Sequence, residues 1–93
     1  MSQCLRITFV VEDSVKSALA QAIQKEARKL NIEGLVHVED SDKLRIIACG
    51  LKEKIERFLD LLYKQVALQS CDDVEVEPFF KDKDYRGVFR IIE

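Results

Sequence analysis

The spacing of apolar residues along this chain switches between every second position and every third or fourth position, and this switching constrains the fold more than any other feature. Residues 4–11 alternate, with the polar Arg6 and Thr8 on one face. Such alternation predicts a strand with one buried side. The predicted buried side holds Leu5, Ile7, Phe9 and Val11.

The spacing becomes helical after the first strand. From Ser14 to about Leu30 the apolar residues recur every three or four positions, which predicts an amphipathic helix. Asp13 or Ser14 is suited to cap its start. Residues 31–34 end it with a turn in which Gly34 is the residue most free to take a positive φ. The predicted buried stripe comprises Val15, Leu19, Ile23, Ala27 and Leu30.

A hairpin and a second helix are predicted next. Residues 35–50 contain two apolar-rich segments separated by the polar run at 39–42, a pattern typical of a β-hairpin. A second helix follows Gly50 and runs to about Ala67. Its apolar stripe comprises Ile55, Phe58, Leu59, Leu62 and Val66.

The C-terminal part predicts two short strands. Residues 74–80 begin as an alternating strand that ends, or lies at a sheet edge, at Pro78. Residues 88–92 predict the last strand. A loop is predicted at 69–73 and a solvated turn at 81–87. The order is β-α-β-β-α-β plus one strand, in which two helices cover one face of an antiparallel sheet. We therefore predict one α+β domain of ferredoxin-like type over residues 1–93.

Composition limits the classes of function. The 93 residues are 47% apolar and 34% charged, as in soluble globular proteins. The net charge of −2, from 15 basic and 17 acidic residues, provides no basic field for nucleic acid. The N-terminal residues resemble no signal peptide, and the apolar runs are too short to span a bilayer. We expect a cytoplasmic protein that binds neither nucleic acid nor membrane.

Cysteine usage agrees with a reducing compartment. Cys4, Cys49 and Cys71 are odd in number, widely spaced and form no C-x-x-C pair. We expect three free thiols, buried or half-buried. No residue pattern indicates a cofactor.

With this order of elements, the chain resembles the acylphosphatase family over nearly its whole length. Residues 26–36, "EARKLNIEGLV", are similar to the end of the family's first helix and the entry to its second strand. Residues 48–62 are similar to the family's glycine before an amphipathic second helix, and residues 85–92 to its last strand. The resemblance implies an acylphosphatase-like α/β sandwich and, where the site is intact, hydrolysis of a carboxyl-phosphate bond.

The same resemblance implies where the family's chemistry would lie. The family carries a loop of the form G-x-V-Q-G-V-x-F-R, whose N–H groups and arginine bind phosphate, and an asparagine that orients water. Aligned from residues 26–29, Glu12 and Lys16 replace the glycines, Ala20 replaces the arginine and Val38 replaces the asparagine. The resemblance therefore implies a degenerate site without the catalytic arginine and asparagine, and little or no hydrolase activity.

Two functions stay open on these residues. A diverged hydrolase would bind phosphate at the helix start with Asp13, Ser14, Val15 and Lys16, and His37, the sole histidine, would act as base. A binding or interaction module would use the same residues differently. Residues 12–14 would then be a helix start, Lys16 a solvated lysine of the first turn, and His37 a half-exposed strand residue. The module's partner would be an unidentified small anion or a protein.

Other candidate sites have simpler explanations. Glu39, Asp40 and Asp42 lack the spacing of a calcium loop, so we expect a hairpin turn and no metal site. The sheet face away from the helices offers no aromatic platform for RNA. Its predicted residues are Arg6, Thr8, Val10, Arg45, Ile47 and Cys49. An exposed C-terminal strand could pair with a second chain, but we expect a monomer.

Overall fold

The order of the elements is as predicted from the spacing of apolar residues. The computed structural model describes residues 2–39, 42–68, 71–78, 80 and 85–92. Some boundaries lie one to three residues from the predicted ones. The elements are β1 Ser2–Val10, α1 Asp13–Lys29, β2 Glu33–Val38, β3 Lys43–Leu51, α2 Lys52–Leu68, β4 Asp72–Pro78 and β5 Phe89–Ile92.

The strands form one mixed sheet in the order β4-β1-β3-β2-β5. β1 pairs antiparallel with β3 from Ser2 opposite Leu51 to Val10 opposite Lys43, and also with β4. β2 pairs antiparallel with β3, while β5 runs parallel to β2. The predicted ferredoxin-like arrangement is confirmed, and its sheet is mostly antiparallel.

The core lies between the helices and one face of the sheet. The two predicted helical stripes are buried or packed against it. Phe58 of α2 meets Phe89 of β5 edge to face, with ring centroids 6.2 Å apart. Neither of the two helices found in the described ranges has the length and apolarity needed to cross a membrane. The largest fully buried side chains are Phe9, Phe58, Phe89, Ile7, Ile32, Leu44, Ile46, Ile55 and Val36.

The end of α1 differs in detail from the prediction. Asn31, with φ 57°, takes the left-handed conformation after the helix, while the Ile32 N–H donates to the Ala27 carbonyl at 2.9 Å. These are features of a Schellman motif. Gly34, with φ 141°, lies inside β2. A side chain there would collide with the Ile47 carbonyl, so this glycine permits close strand approach and does not end the helix.

The C-terminal part contains two corrections and one confirmation. β4 begins at Asp72, so the predicted loop at 69–73 is wrong for its last two residues. β4 is an edge strand with Pro78 as its last residue, as predicted. Residue 79, placed in the predicted strand, and residues 81–84 of the predicted turn lie outside the described residues. Tyr85 of that turn is buried, because it packs against Ile47 on the sheet. The prediction of a solvated turn is therefore wrong for this residue.

The face of the sheet opposite the helices is called the open face below. Arg6 stands opposite Ile47 and Thr8 opposite Arg45 on it, which confirms that these residues share a face. The open face carries a small apolar cluster of Ile47, Cys49 and Tyr85, with Cys4 and Leu35 packed against it. Of the described residues in that cluster, Tyr85 alone is aromatic, and it comes from the turn before β5 and not from a strand.

The expectation of three free thiols is wrong for two of the cysteines. Cys4 and Cys49 stand directly opposite in the β1–β3 ladder and form a disulfide. Their separation of 45 residues in sequence gave no sign of the pairing, because only the strand register brings them together. Cys71 is half-buried and is not part of the disulfide, so the expectation of a thiol holds for it. Cysteine usage is therefore no longer an argument for a reducing compartment.

Candidate functional site

The junction between β1 and α1 is short. It consists of Val11 and Glu12, and the Val11 N–H donates to the Asp42 carbonyl at 2.7 Å. Glu12 is the N-cap residue, with φ −57° and ψ 136°, and its side chain makes no capping hydrogen bond. The predicted caps, Asp13 and Ser14, are wrong, because the helix starts one residue earlier. Asp13 still suits the first turn, since a carboxylate there faces the positive end of the helix dipole.

Lys16 is buried, and the prediction of a solvated lysine is wrong. Its ammonium group donates to the Glu39 carbonyl, and it lies 2.9 Å from the Asp13 carboxylate. The Lys16 side chain is 7% exposed, whereas that of Asp13 is 83% exposed. Since buried cations require polar partners, these contacts explain how the ammonium is accommodated. Lys16 thereby connects the start of α1 to the end of β2.

Glu39 is the centre of a second set of contacts. Its Oε1 lies 2.7 Å from Arg45 Nη2 and 4.0 Å from His37 Nδ1. The His37 side chain is 40% exposed, which agrees with the half-exposed strand residue predicted as one alternative. We refer to Asp13, Lys16, His37, Glu39 and Arg45 as the helix-start cluster. Sequence reasoning treated Glu39 only as part of a turn and missed its role as the hub.

The two positions that the resemblance assigns to catalytic side chains carry apolar residues of the core layer. Ala20 lies in α1 and is fully buried in the core. Val38 is the last residue of β2, stands opposite Leu44 and packs against the same core. Residues 13–20, which the resemblance places in the phosphate loop, are all part of α1. In the register that the resemblance implies, regular helix would therefore stand where the family has its glycine loop.

The structure brings together some of the predicted site residues. Lys16 contacts Asp13, and both lie in the first turns of the helix with Ser14 and Val15. Among the residues that the structure describes, His37 contacts the cluster at the Glu39 carboxylate. The charged groups of the cluster thus pair with one another. The arrangement forms a network of hydrogen bonds and ion pairs within the chain.

The fold and the match of a sequence profile define the class to which this chain belongs. The profile of the acylphosphatases matches residues 20–91, which is most of the chain. The fold described above is the ferredoxin-like sandwich that this class uses. The chain belongs to the acylphosphatase family. The match begins at Ala20 and leaves out residues 12–19, where the resemblance places most of the phosphate loop.

Solved structures with the same fold include enzymes and much larger proteins. An acylphosphatase from Coxiella burnetii has a TM-score of 0.81 and 20% identity, over 97% of this chain and 92% of that one. An acylphosphatase from Bacillus subtilis has a TM-score of 0.74 and 20% identity, with both chains covered completely. HypF from T. kodakarensis has a TM-score of 0.79 and 21% identity over all of this chain, but only 12% of HypF is covered.

These likenesses concern the fold alone, because the identities are so low. No curated protein sequence matches this chain significantly. The activity therefore has to be argued from this chain's own residues.

Proposed function

We propose that residues 1–93 form a single acylphosphatase-family domain that does not hydrolyse acyl phosphates and acts as a binding or interaction module. The observation that carries the proposal is the burial of Ala20 at the position of the family's arginine. A methyl group enclosed in the core supplies no charge to a phosphate. Val38 at the asparagine position likewise has no hydrogen-bonding group with which to orient water.

The size of the expected loss supports the same conclusion. An acyl phosphate is already reactive, so an enzyme of this kind acts mainly by binding the anion and placing water. Removing one preorganised donor from such a site typically reduces the rate by about 10²–10³. Here the resemblance implies the loss of a guanidinium, an amide and the glycine loop together. The helical conformation of residues 13–20 further supports the proposal, since helical N–H groups beyond the first turn bond within the helix.

The alternative, a diverged hydrolase, would rely on Lys16 to bind phosphate. Lys16 already pairs with the Asp13 carboxylate and the Glu39 carbonyl. A phosphate dianion would have to compete with Asp13 for the ammonium and would be repelled by Asp13 and Glu12. The charge of this segment therefore favours the module over the hydrolase.

Occurrence of the fold within longer chains is consistent with a module. This chain covers 12% of HypF and 24% of BlrP1 from Klebsiella pneumoniae, the latter at 17% identity and a TM-score of 0.72. In those proteins the fold accounts for only a small part of the chain. A domain of this type can therefore serve an assembly in which other segments carry out other tasks.

The sheet edges support a monomeric domain. β4, at one edge, carries Glu75, Glu77 and Pro78, and charged residues and proline discourage edge pairing. At the other edge, Gln24 of α1 donates to the Phe89 carbonyl of β5 at 2.9 Å. This hydrogen bond occupies a backbone acceptor that an added strand would require.

An assay of benzoyl phosphate hydrolysis tests the proposal. We expect no turnover above the spontaneous rate, with the acylphosphatase from Bacillus subtilis as the positive control. The variants Lys16→Met and His37→Gln should leave this background unchanged. Turnover by the unmodified chain that disappears in Lys16→Met would instead establish the hydrolase.

A further inference from the structure

The disulfide between Cys4 and Cys49 lies on the open face of the sheet, outside the principal core. Cys49 and Tyr85 are buried members of the open-face cluster, and Cys4 packs against them. Cys71, by contrast, packs against the core between the helices and the sheet. A reaction at the disulfide would therefore take place on one layer of the domain, away from the residues that hold the helices to the sheet.

The register of β1 against β3 keeps the two cysteines together whether or not they are bonded. Cys4 and Cys49 stand directly opposite, and the ladder continues on both sides of them along residues 2–10 of β1. Directly opposite side chains of an antiparallel pair lie on the same face and are neighbours. Two thiols formed by reduction would therefore remain adjacent, at a high effective concentration for reoxidation. The pair is thus suited to opening and closing repeatedly.

The two cysteines differ in their access to solvent. Cys49 is 3% exposed and belongs to β3, the central strand of the sheet. Cys4 is half-buried, because the described pairing of β1 with β4 begins only at Leu5, opposite Pro78. Which sulfur of a disulfide is attacked depends on access. A small thiol therefore reaches the sulfur of Cys4 more readily than that of Cys49.

We propose that Cys4 is a site of reversible thiol–disulfide exchange with a low-molecular-weight thiol such as glutathione. Cys49 is the buried partner whose sulfur leaves when Cys4 is attacked and attacks Cys4 when the bond is restored. Exposed disulfides are the labile and regulatory ones, and this bond is exposed on the side of Cys4.

The exchange proceeds in two steps. A glutathione thiolate attacks Cys4 Sγ, a new S–S bond forms there, and the electron pair of the old bond leaves with Cys49 Sγ, which takes a proton from water. A second glutathione thiolate attacks the sulfur of the bound glutathione and releases Cys4, which is also protonated. The protein disulfide is thereby reduced to two thiols, and two glutathione molecules are oxidised to one glutathione disulfide. The mixed disulfide at Cys4 is the intermediate in both directions.

This inference does not depend on whether the domain hydrolyses acyl phosphates. Neither Cys4 nor Cys49 belongs to the helix-start cluster, and exchange is measured without any phosphate substrate. Each of the two proposals can therefore fail without the other.

Peptide mapping of the unmodified chain tests the direction of attack. The oxidised protein would be incubated with reduced glutathione under native conditions, quenched with acid and alkylated. Trypsin cuts after lysine and arginine and places the three cysteines in separate peptides, residues 1–6, 46–52 and 65–81. We expect glutathione on Cys4 in about tenfold or greater excess over Cys49, since only the former is accessible. The rate of reduction should change little with urea below the unfolding transition, because the native state itself is attacked.

Two variants compare the cysteines one at a time, each combined with Cys71→Ala. Cys49→Ala leaves the Cys4 thiol, and Cys4→Ala leaves the Cys49 thiol. With glutathione disulfide as the reagent, the Cys4 thiol should form the mixed disulfide about tenfold or more faster than the buried Cys49 thiol. Unfolding both variants in urea is the matched control, and it should abolish the difference because burial is its cause. The amide spectrum of each variant reports whether it is folded without urea, and the mapping of the unmodified chain does not require either variant to fold.

Several outcomes would overturn the proposal. Glutathione found mainly on Cys49 would reverse the assigned roles. Reduction that occurs only in proportion to the unfolded fraction would show that the disulfide has a structural role alone. A difference between the two folded variants that persists in urea would show that burial is not its cause.

Discussion

The substitution Ala20→Arg restores the residue type that the family carries at this position, and the structure predicts that it will destabilise the fold. Ala20 is fully buried within α1. Overpacking of a core costs about 1–3 kcal/mol, and the effective penalty for burying an ion is several kcal/mol. We expect a total loss of at least about 4 kcal/mol. Native stabilities are about 5–15 kcal/mol, so the loss would be a large part of the whole.

Thermal and urea unfolding would measure this loss against a matched control. Ala18→Arg makes the same replacement in the same helix at an exposed position and should change stability little. With an unfolding entropy of about 2 cal/mol/K per residue, about 4 kcal/mol corresponds to a fall in Tm of about 20 °C. If both variants unfolded at the same temperature, the new guanidinium would have reached solvent, and the reasoning about Ala20 would be refuted. Benzoyl phosphate hydrolysis by a stable Ala20→Arg protein would refute it more strongly.

The remaining predictions concern stability. In urea unfolding, Lys16→Ala should lower the free energy of unfolding by about 2–3 kcal/mol, since the charge-assisted contact with Glu39 is lost. Asp13→Asn should lower it by less than about 1 kcal/mol, because that carboxylate is 83% exposed. Equal losses in the two variants would contradict this difference in burial. Gly34→Ala should lower the free energy of unfolding by more than about 2 kcal/mol, because the new methyl group would collide with the Ile47 carbonyl. Gly87→Ala should lower it by only about 1 kcal/mol, because a Cβ at that position meets no atom within 4 Å. Reduction of the disulfide, whose cysteines are 45 residues apart, should lower the free energy of unfolding by up to about 4 kcal/mol if the effect is chain entropy. The measurement is the Tm, which should be lower in the presence of a reductant. Three thiols reacting in the denatured, unreduced protein would contradict the disulfide.

Features that depend on local spacing could be predicted from the sequence. The stripe of Leu19, Ile23 and Ala27 is buried because helical periodicity brings these residues to one side. Strand alternation likewise predicted that Arg6 and Arg45 lie on the same face of the sheet, the open face. The positions of Ala20 and Val38 followed from the resemblance, and the structure adds that both belong to the core layer.

Features that depend on long-range placement could not be predicted. The Cys4–Cys49 pairing requires the register of β1 against β3, which alternation alone does not specify. Burial of Tyr85 requires the turn before β5 to lie across the open face. Burial of Lys16 requires the end of β2 to stand beside the start of α1, so that the Glu39 carbonyl can accept a hydrogen bond. In each case the deciding contact joins segments that are distant in sequence.

The distribution of charge at the helix start disfavours the binding of an external anion there. At the helix start, the positive end of α1 and the Lys16 ammonium are already met by the carboxylate of Asp13. An external phosphate would therefore have to displace a group that is tethered to the chain and always present at high effective concentration.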